Sequence, residues 1–140
     1  MVNWFNRVMD RPDLGKLILR LAFSIMMIFH GWHKLIGGID YIQELLTQHG
    51  LPGFIGYGVF VGELVAPLLI ILGIFTRPAA LVFSFTMLAA YLLIDPGKAL
   101  MLTKVGAWGA EDMAVYFFAG LAIAFLGSGR YSVMKDPNWR

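Results

Sequence analysis

The chain has 140 residues, of which 59% are hydrophobic and 14% charged, and its formal net charge is +2. A mean hydropathy of +0.71 excludes a soluble domain of this size, because its surface would be largely apolar, so lipid is the expected solvent. The absence of cysteine excludes disulfides, thiolate catalysis, iron–sulfur ligation and zinc–thiolate sites formed by this chain alone.

The N-terminal sixteen residues predict a short helix lying in the membrane interface. Trp4, Phe5 and Val8 recur at helical spacing, and Arg7 and Arg11 provide the basic residues of the same segment. Apolar and basic faces of this kind are typical of interfacial amphipathic helices. No short apolar core with a small-residue cleavage site is present, so we expect no removable signal peptide.

Four apolar stretches are long enough to cross or nearly cross a bilayer, at roughly 14–36, 54–75, 78–95 and 111–127. Residues 39–53 between the first two are amphipathic and predict a short surface helix. The brief link Thr76–Pro78 makes the second and third stretches antiparallel neighbours. We therefore predict an all-α integral membrane four-helix bundle in a single domain, residues 1–140.

The distribution of lysine and arginine predicts the orientation of this bundle. Seven cations fall on the side of the termini and three on the other side, with Arg20 inside the first stretch. The seven are Arg7, Arg11, Lys16, Arg77, Arg130, Lys135 and Arg140. Positive charge accumulates in the cytoplasm, so both termini are predicted there. The net positive charge is then explained by the attraction of these residues to the anionic inner leaflet, and it does not indicate nucleic-acid binding.

An acid, a base and a cation lie inside the apolar stretches. Glu63 comes four residues before Pro67, which lacks the amide that would bond the Glu63 carbonyl in an α-helix. The first stretch contributes Arg20 and His30. Ionisable groups at this depth are costly unless they are paired or used, so the three are our candidate catalytic residues.

The depth of each residue in the membrane suggests which of these side chains meet. Counting the rise per residue places Glu63 about 14 Å below the outer edge, His30 about 9 Å and Arg20 about 21 Å. His30 is therefore the better match to Glu63, although a long guanidinium can reach either way. Both pairings remain open at this stage.

A proton-handling pocket for a quinone head group fits these residues. A quinone carbonyl accepts hydrogen bonds from His, Arg or Lys, and an adjacent acid relays the protons of two-electron reduction. Further candidates for contact with the cofactor are Lys34, His33, Tyr91 and Glu111. A metal site is disfavoured because His30 and His33 diverge on the helix, and no nucleotide-binding fingerprint is present.

The string resembles the DoxX family of small bacterial membrane proteins. The matching elements are Arg20-Leu21, His30-Gly31-x2-Lys34-Leu35-x-Gly37, Glu63-Leu64-x2-Pro67, the run from Leu72 to Ala80, and the run from Gly127 to Ser132. The resemblance implies a four-helix, multi-pass protein of the bacterial inner (plasma) membrane. The family pattern maps onto Arg20, Gly31, Lys34, Glu63 and Arg77, and Glu111 matches an acid at the start of the last helix in many members.

Family members are often described as oxidoreductases, and relatives resemble membrane subunits of a thiosulfate:quinone oxidoreductase. The tail departs from the usual Gly-Pro-Gly and Leu-Asp pattern at Ser128 and Val133-Met134, which bears little on the fold.

The leading hypothesis is a quinone-linked oxidoreductase component that needs an electron-donating partner protein. The alternatives are a non-catalytic scaffold or assembly subunit and a small proton-coupled exporter. A homodimer through Gly58-x3-Gly62 is also open, since the same glycines could pack inside one bundle.

Overall fold

The computed structural model describes all 140 residues and is all-α, without a β-strand. A short helix α1, Val2–Met9, leads into the long helix α2, Pro12–Gly37, and then into α3, Asp40–Gln48. The continuous helical segment α4 covers Gly53–Leu72. Helix α5, Thr76–Ile94, a 3-10 turn, Pro96–Leu100, and helix α6, Glu111–Leu126, complete the order.

Three of these helices are long and apolar enough to cross a membrane, namely α2, α4 and α5. Helix α6 has 16 residues, about 24 Å of rise against a hydrocarbon core of about 30 Å. A fourth crossing by α6 and the cytoplasmic position of both termini therefore stay predictions.

Small residues let the helices approach closely. At Gly120 of α6 an added Cβ would overlap the Ser84 hydroxyl of α5, and that hydroxyl donates to the Phe117 carbonyl at 2.8 Å. At Gly62 of α4 a Cβ would overlap Thr86 of α5, whereas nothing lies within 4 Å of the corresponding position at Gly58. Gly62 thus packs inside the bundle. This was one of the two alternatives left open by the sequence, and the other was a homodimer contact.

The core runs along the contact of α2, α4, α5 and α6. Its buried members are Met27, Ala66, Ile70, Ala79, Ala80, Phe83, Met87, Ile123 and Ala124. Outside it, large apolar side chains such as Phe29, Ile36 and Phe85 are about 70% exposed. An apolar exterior around a small core is the pattern expected of helices solvated by lipid.

The two short helices confirm the predicted local structure on either side of α2. Helix α1 has no buried residue, so its apolar side chains Trp4 and Phe5 remain free to enter the interface. Helix α3 buries Leu46 against the bundle and exposes most of its other residues.

Candidate functional site

Glu63 and Lys34 form the only salt bridge in the structure, between α4 and α2. Lys34 Nζ lies 2.5 Å from Glu63 Oε1 and 2.7 Å from Glu63 Oε2. The glutamate side chain is 3% exposed, whereas the lysine side chain is 29% exposed. The carboxylate is therefore buried, and Lys34 is the more exposed side of the pair.

The backbone at Glu63 departs from an α-helix. Residues Val61–Val65 form a π-helical turn, in which the Ala66 amide donates to the Val61 carbonyl five residues earlier. Pro67 follows and provides no amide for the Glu63 carbonyl. The wider turn accommodates that missing bond, and π-turns of this kind are frequent at functional sites.

A glycine allows α2 to approach this turn. A Cβ added at Gly31 would lie 2.8 Å from the Glu63 carbonyl oxygen and 2.7 Å from the Leu64 Cγ. Gly31 is also one turn before Lys34 on the same face of α2. The close approach brings Lys34 within reach of the carboxylate.

Glu63 pairs neither with His30 nor with Arg20, so both pairings expected from the sequence are wrong. Its carboxylate is bonded to Lys34 instead. Helical side chains lean toward the N-terminus of their own helix. Helices α2 and α4 run in opposite directions, so the Lys34 and Glu63 side chains lean toward each other. Counting Cα depth alone ignored this lean and favoured His30.

His30 lies beside a different helix. Its ring makes an edge contact with Tyr116 of α6, with 5.9 Å between the ring centroids. His30 and His33 are both exposed, and no hydrogen bond is formed by either ring. The two histidines therefore lie outside the Lys34–Glu63 contact.

Arg20 is fully buried at the opposite end of α2. Its guanidinium donates to the carbonyls of Ile70 and Ile71 at 2.9 and 2.8 Å, and to those of Ser128 and Tyr131 at 2.9 and 2.7 Å. The last carbonyls of a helix lack partners within the helix and carry partial negative charge. Arg20 caps the C-terminal end of α4 and ties it to the segment after α6.

Tyr91 and Glu111 lie near the loop between α5 and α6. The Tyr91 hydroxyl donates to the Pro96 carbonyl at 2.5 Å, and Glu111 is exposed in the first turn of α6. Tyr91 also lines an entirely apolar pocket of about 250 Å³, with Met87, Trp108, Met113 and Phe117 among its walls. Glu63, Lys34, His30 and Arg20 do not line this pocket.

No group of three or more His, Asp or Glu side chains in the structure is arranged to hold a metal ion. The site that the structure assembles is thus one buried carboxylate, one half-buried ammonium and a π-turn. The sequence indicated Lys34 as a cofactor contact and as part of the family pattern, but not as the partner of Glu63. Its position on the same helical face as Arg20 was the signal that could have identified it as the partner.

Comparison with known protein families matches residues 15–96 to DoxX. A Bacillus subtilis protein named "Putative oxidoreductase CatD" is 30% identical over 82 residues, which are 59% of this chain and 60% of that protein. "Inner membrane protein YphA" of Escherichia coli is 28% identical over 138 residues, covering 94% of this chain and 96% of that protein.

An uncharacterized protein of Haemophilus influenzae is 31% identical over 116 residues, which are 79% of this chain and 81% of that protein. The chain therefore matches less than two thirds of the length of the Bacillus relative and most of the length of the other two. No solved structure matches the chain.

Proposed function

The chain belongs to the DoxX family of multi-pass inner-membrane proteins, and we propose that it serves there as the membrane component of a quinone-linked oxidoreductase. The observation that carries the proposal is the Lys34–Glu63 pair, whose buried acid is joined to a partly exposed ammonium. A relative named as an oxidoreductase supports the same reaction class.

The proposed chemistry uses the two side chains in different roles. Lys34 donates a hydrogen bond to one carbonyl oxygen of a quinone that approaches from the lipid. The Lys34 ammonium gives one proton to that oxygen and is reprotonated from water through Glu63, and the second carbonyl oxygen takes its proton from water. Complete reduction to the quinol takes two electrons and two protons and converts both carbonyls to hydroxyls.

The electrons come from outside this chain, because it has no cysteine to act as a thiol donor or to ligate an iron–sulfur cluster. The donor is a partner protein with its own redox group. The chain supplies the membrane position, the hydrogen bond and the proton path.

Two measurements test this proposal. Lipids extracted from the purified protein are analysed for quinone, and quinol formation is measured in membranes of a deletion strain and of the same strain complemented with the wild-type chain. We expect copurified quinone and slower quinol formation in the deletion strain. No quinone in the extract together with unchanged quinol formation would sink the proposal.

A second candidate function is a non-catalytic assembly subunit. The four carbonyl contacts of Arg20 and the internal pairing of Lys34 favour it, because both arrangements hold helices together. In this case Glu63→Gln lowers bundle stability and the recovery of partner proteins to the same degree. The oxidoreductase proposal instead expects Glu63→Gln to lose quinol formation beyond any loss of folded protein.

A further inference from the structure

A polar cleft of about 270 Å³ opens at the end of the bundle that holds both chain ends. Its cations come from four separate parts of the chain. Lys16 belongs to the start of α2, Arg77 to the start of α5, Arg130 to the turn after α6 and Arg140 to the final segment. Asp13 is the one acidic side chain in the lining.

The charge of this cleft is unbalanced. Four cationic side chains face one carboxylate, a net side-chain charge of +3. Like charges gathered around one cleft repel each other, and a bound anion relieves that repulsion. The tertiary fold, and not a run of basic sequence, brings these charges together.

Two of the cations are held in place before any ligand arrives. Arg77 Nη1 donates to the carbonyls of Ala124 and Phe125 at 2.9 and 2.8 Å, which caps the C-terminal end of α6. Arg130 Nη2 donates to the Tyr131 hydroxyl at 2.8 Å, and its guanidinium lies 4.9 Å from the Tyr131 ring centroid. Pre-positioned groups lower the cost of ordering on binding.

The floor of the cleft is bare backbone. Gly127 and Gly129 have φ angles of +75° and +73°, a region that L side chains rarely adopt. A Cβ would lie 2.9 Å from Arg77 Nη2 at Gly127 and 2.8 Å from Asp13 Oδ1 at Gly129. A Cβ at Gly127 would also lie 3.2 Å from the Arg140 carbonyl oxygen. The two glycines therefore allow the charged side chains to pack directly against the backbone, and a larger residue at either position would displace them.

We infer that this cleft binds a phosphate group, supplied either by an anionic phospholipid head group or by free phosphate. Guanidinium groups match phosphate oxygens in charge and in hydrogen-bond geometry. The cleft lies at the ends of the candidate membrane spans, the level at which head groups meet the protein. The carboxylate of Asp13 repels the anion and therefore lowers the affinity of the cleft for phosphate.

The experiment follows thermal unfolding of the full chain in detergent through tryptophan fluorescence. Phosphatidylglycerol, phosphatidylcholine and inorganic phosphate are titrated separately, with sodium chloride matched for ionic strength. A ligand that binds the folded state raises the unfolding midpoint with its concentration. We expect phosphatidylglycerol, inorganic phosphate or both to raise it more than phosphatidylcholine or chloride does.

Charge variants locate the effect. Lys16→Gln and Arg140→Gln should each weaken apparent affinity about fivefold, the usual contribution of one cation near a membrane surface. Asp13→Asn keeps an oxygen for the Arg130 amide, which now lies 3.2 Å from Asp13 Oδ1, and should tighten binding about fivefold. Lys104→Gln, in the exposed loop at the other end of the bundle, is the matched control and should leave binding unchanged.

The ligand arms separate the two sources. A response to phosphatidylglycerol alone supports a lipid head group, and a response to inorganic phosphate supports a soluble phosphate compound. The inference is overturned if neither phosphate source exceeds its control, or if Lys16→Gln and Lys104→Gln respond alike. Where phosphatidylglycerol gives the response, native mass spectrometry provides a second readout, in which Lys16→Gln should retain fewer bound phosphatidylglycerol molecules than Lys104→Gln.

Discussion

Removing either member of the Lys34–Glu63 pair should destabilise the bundle by different amounts. In Lys34→Met a carboxylate that is 3% exposed loses its ionic partner. Breaking a buried pair in this way costs about 3–5 kcal/mol of unfolding free energy. In Glu63→Gln the remaining ammonium, 29% exposed, can turn toward water or head groups, so the expected loss is about 1 kcal/mol.

The double variant Lys34→Met/Glu63→Gln removes both charges. It should be more stable than Lys34→Met alone, with a coupling energy of at least about 2 kcal/mol between the two sites. Unfolding by sodium dodecyl sulfate in mixed micelles, followed by the fluorescence of the four tryptophans, measures all three variants, and Lys104→Met serves as the control. Additive losses, or a larger loss in Glu63→Gln than in Lys34→Met, would refute the burial argument.

Three other substitutions test the packing of the helices in the bundle. Arg20→Gln should cost at least about 3 kcal/mol in the same unfolding assay, because buried carbonyls lose charged donors, whereas exposed Arg11→Gln should cost little. Gly62→Val should lose about 1–3 kcal/mol by overpacking against α5, and Gly58→Val, where the structure is open, should be better tolerated in thermal unfolding. His30→Ala should cost about 1 kcal/mol, the value of one aromatic edge contact, and a larger loss would indicate a further contact.

The hydropathy of the sequence and the positions of its glycines and prolines were enough to predict the helical elements. Apolar stretches broken by glycine and proline correspond to α2, α4, α5 and α6, and the amphipathic segments to α1 and α3. Pro67 also indicated that the helix was disturbed at Glu63. The form of the disturbance, a π-turn over Val61–Val65, was not predictable, because a helix can accommodate a proline by a kink as well as by a wider turn.

The side-chain partners were harder to predict, since they depend on direction as well as depth. Lys34 and Glu63 meet because their antiparallel helices direct the side chains toward each other. The same lean carries Arg20 away from Glu63, toward the carbonyls of Ile70 and Ile71. Those helix-end carbonyls and the turn at Ser128 are backbone features, which residue types alone do not reveal.

The central claim is that the Lys34–Glu63 pair handles protons for a quinone. Its most direct test is the rate of quinol formation per folded protein in membranes carrying Glu63→Gln, compared with Lys104→Gln, a control that alters an exposed side chain in the loop before α6. We predict at least a tenfold lower rate in Glu63→Gln, within the range that a positioned acid or base contributes, and a normal rate in Lys104→Gln. Equal rates in the two variants would contradict it.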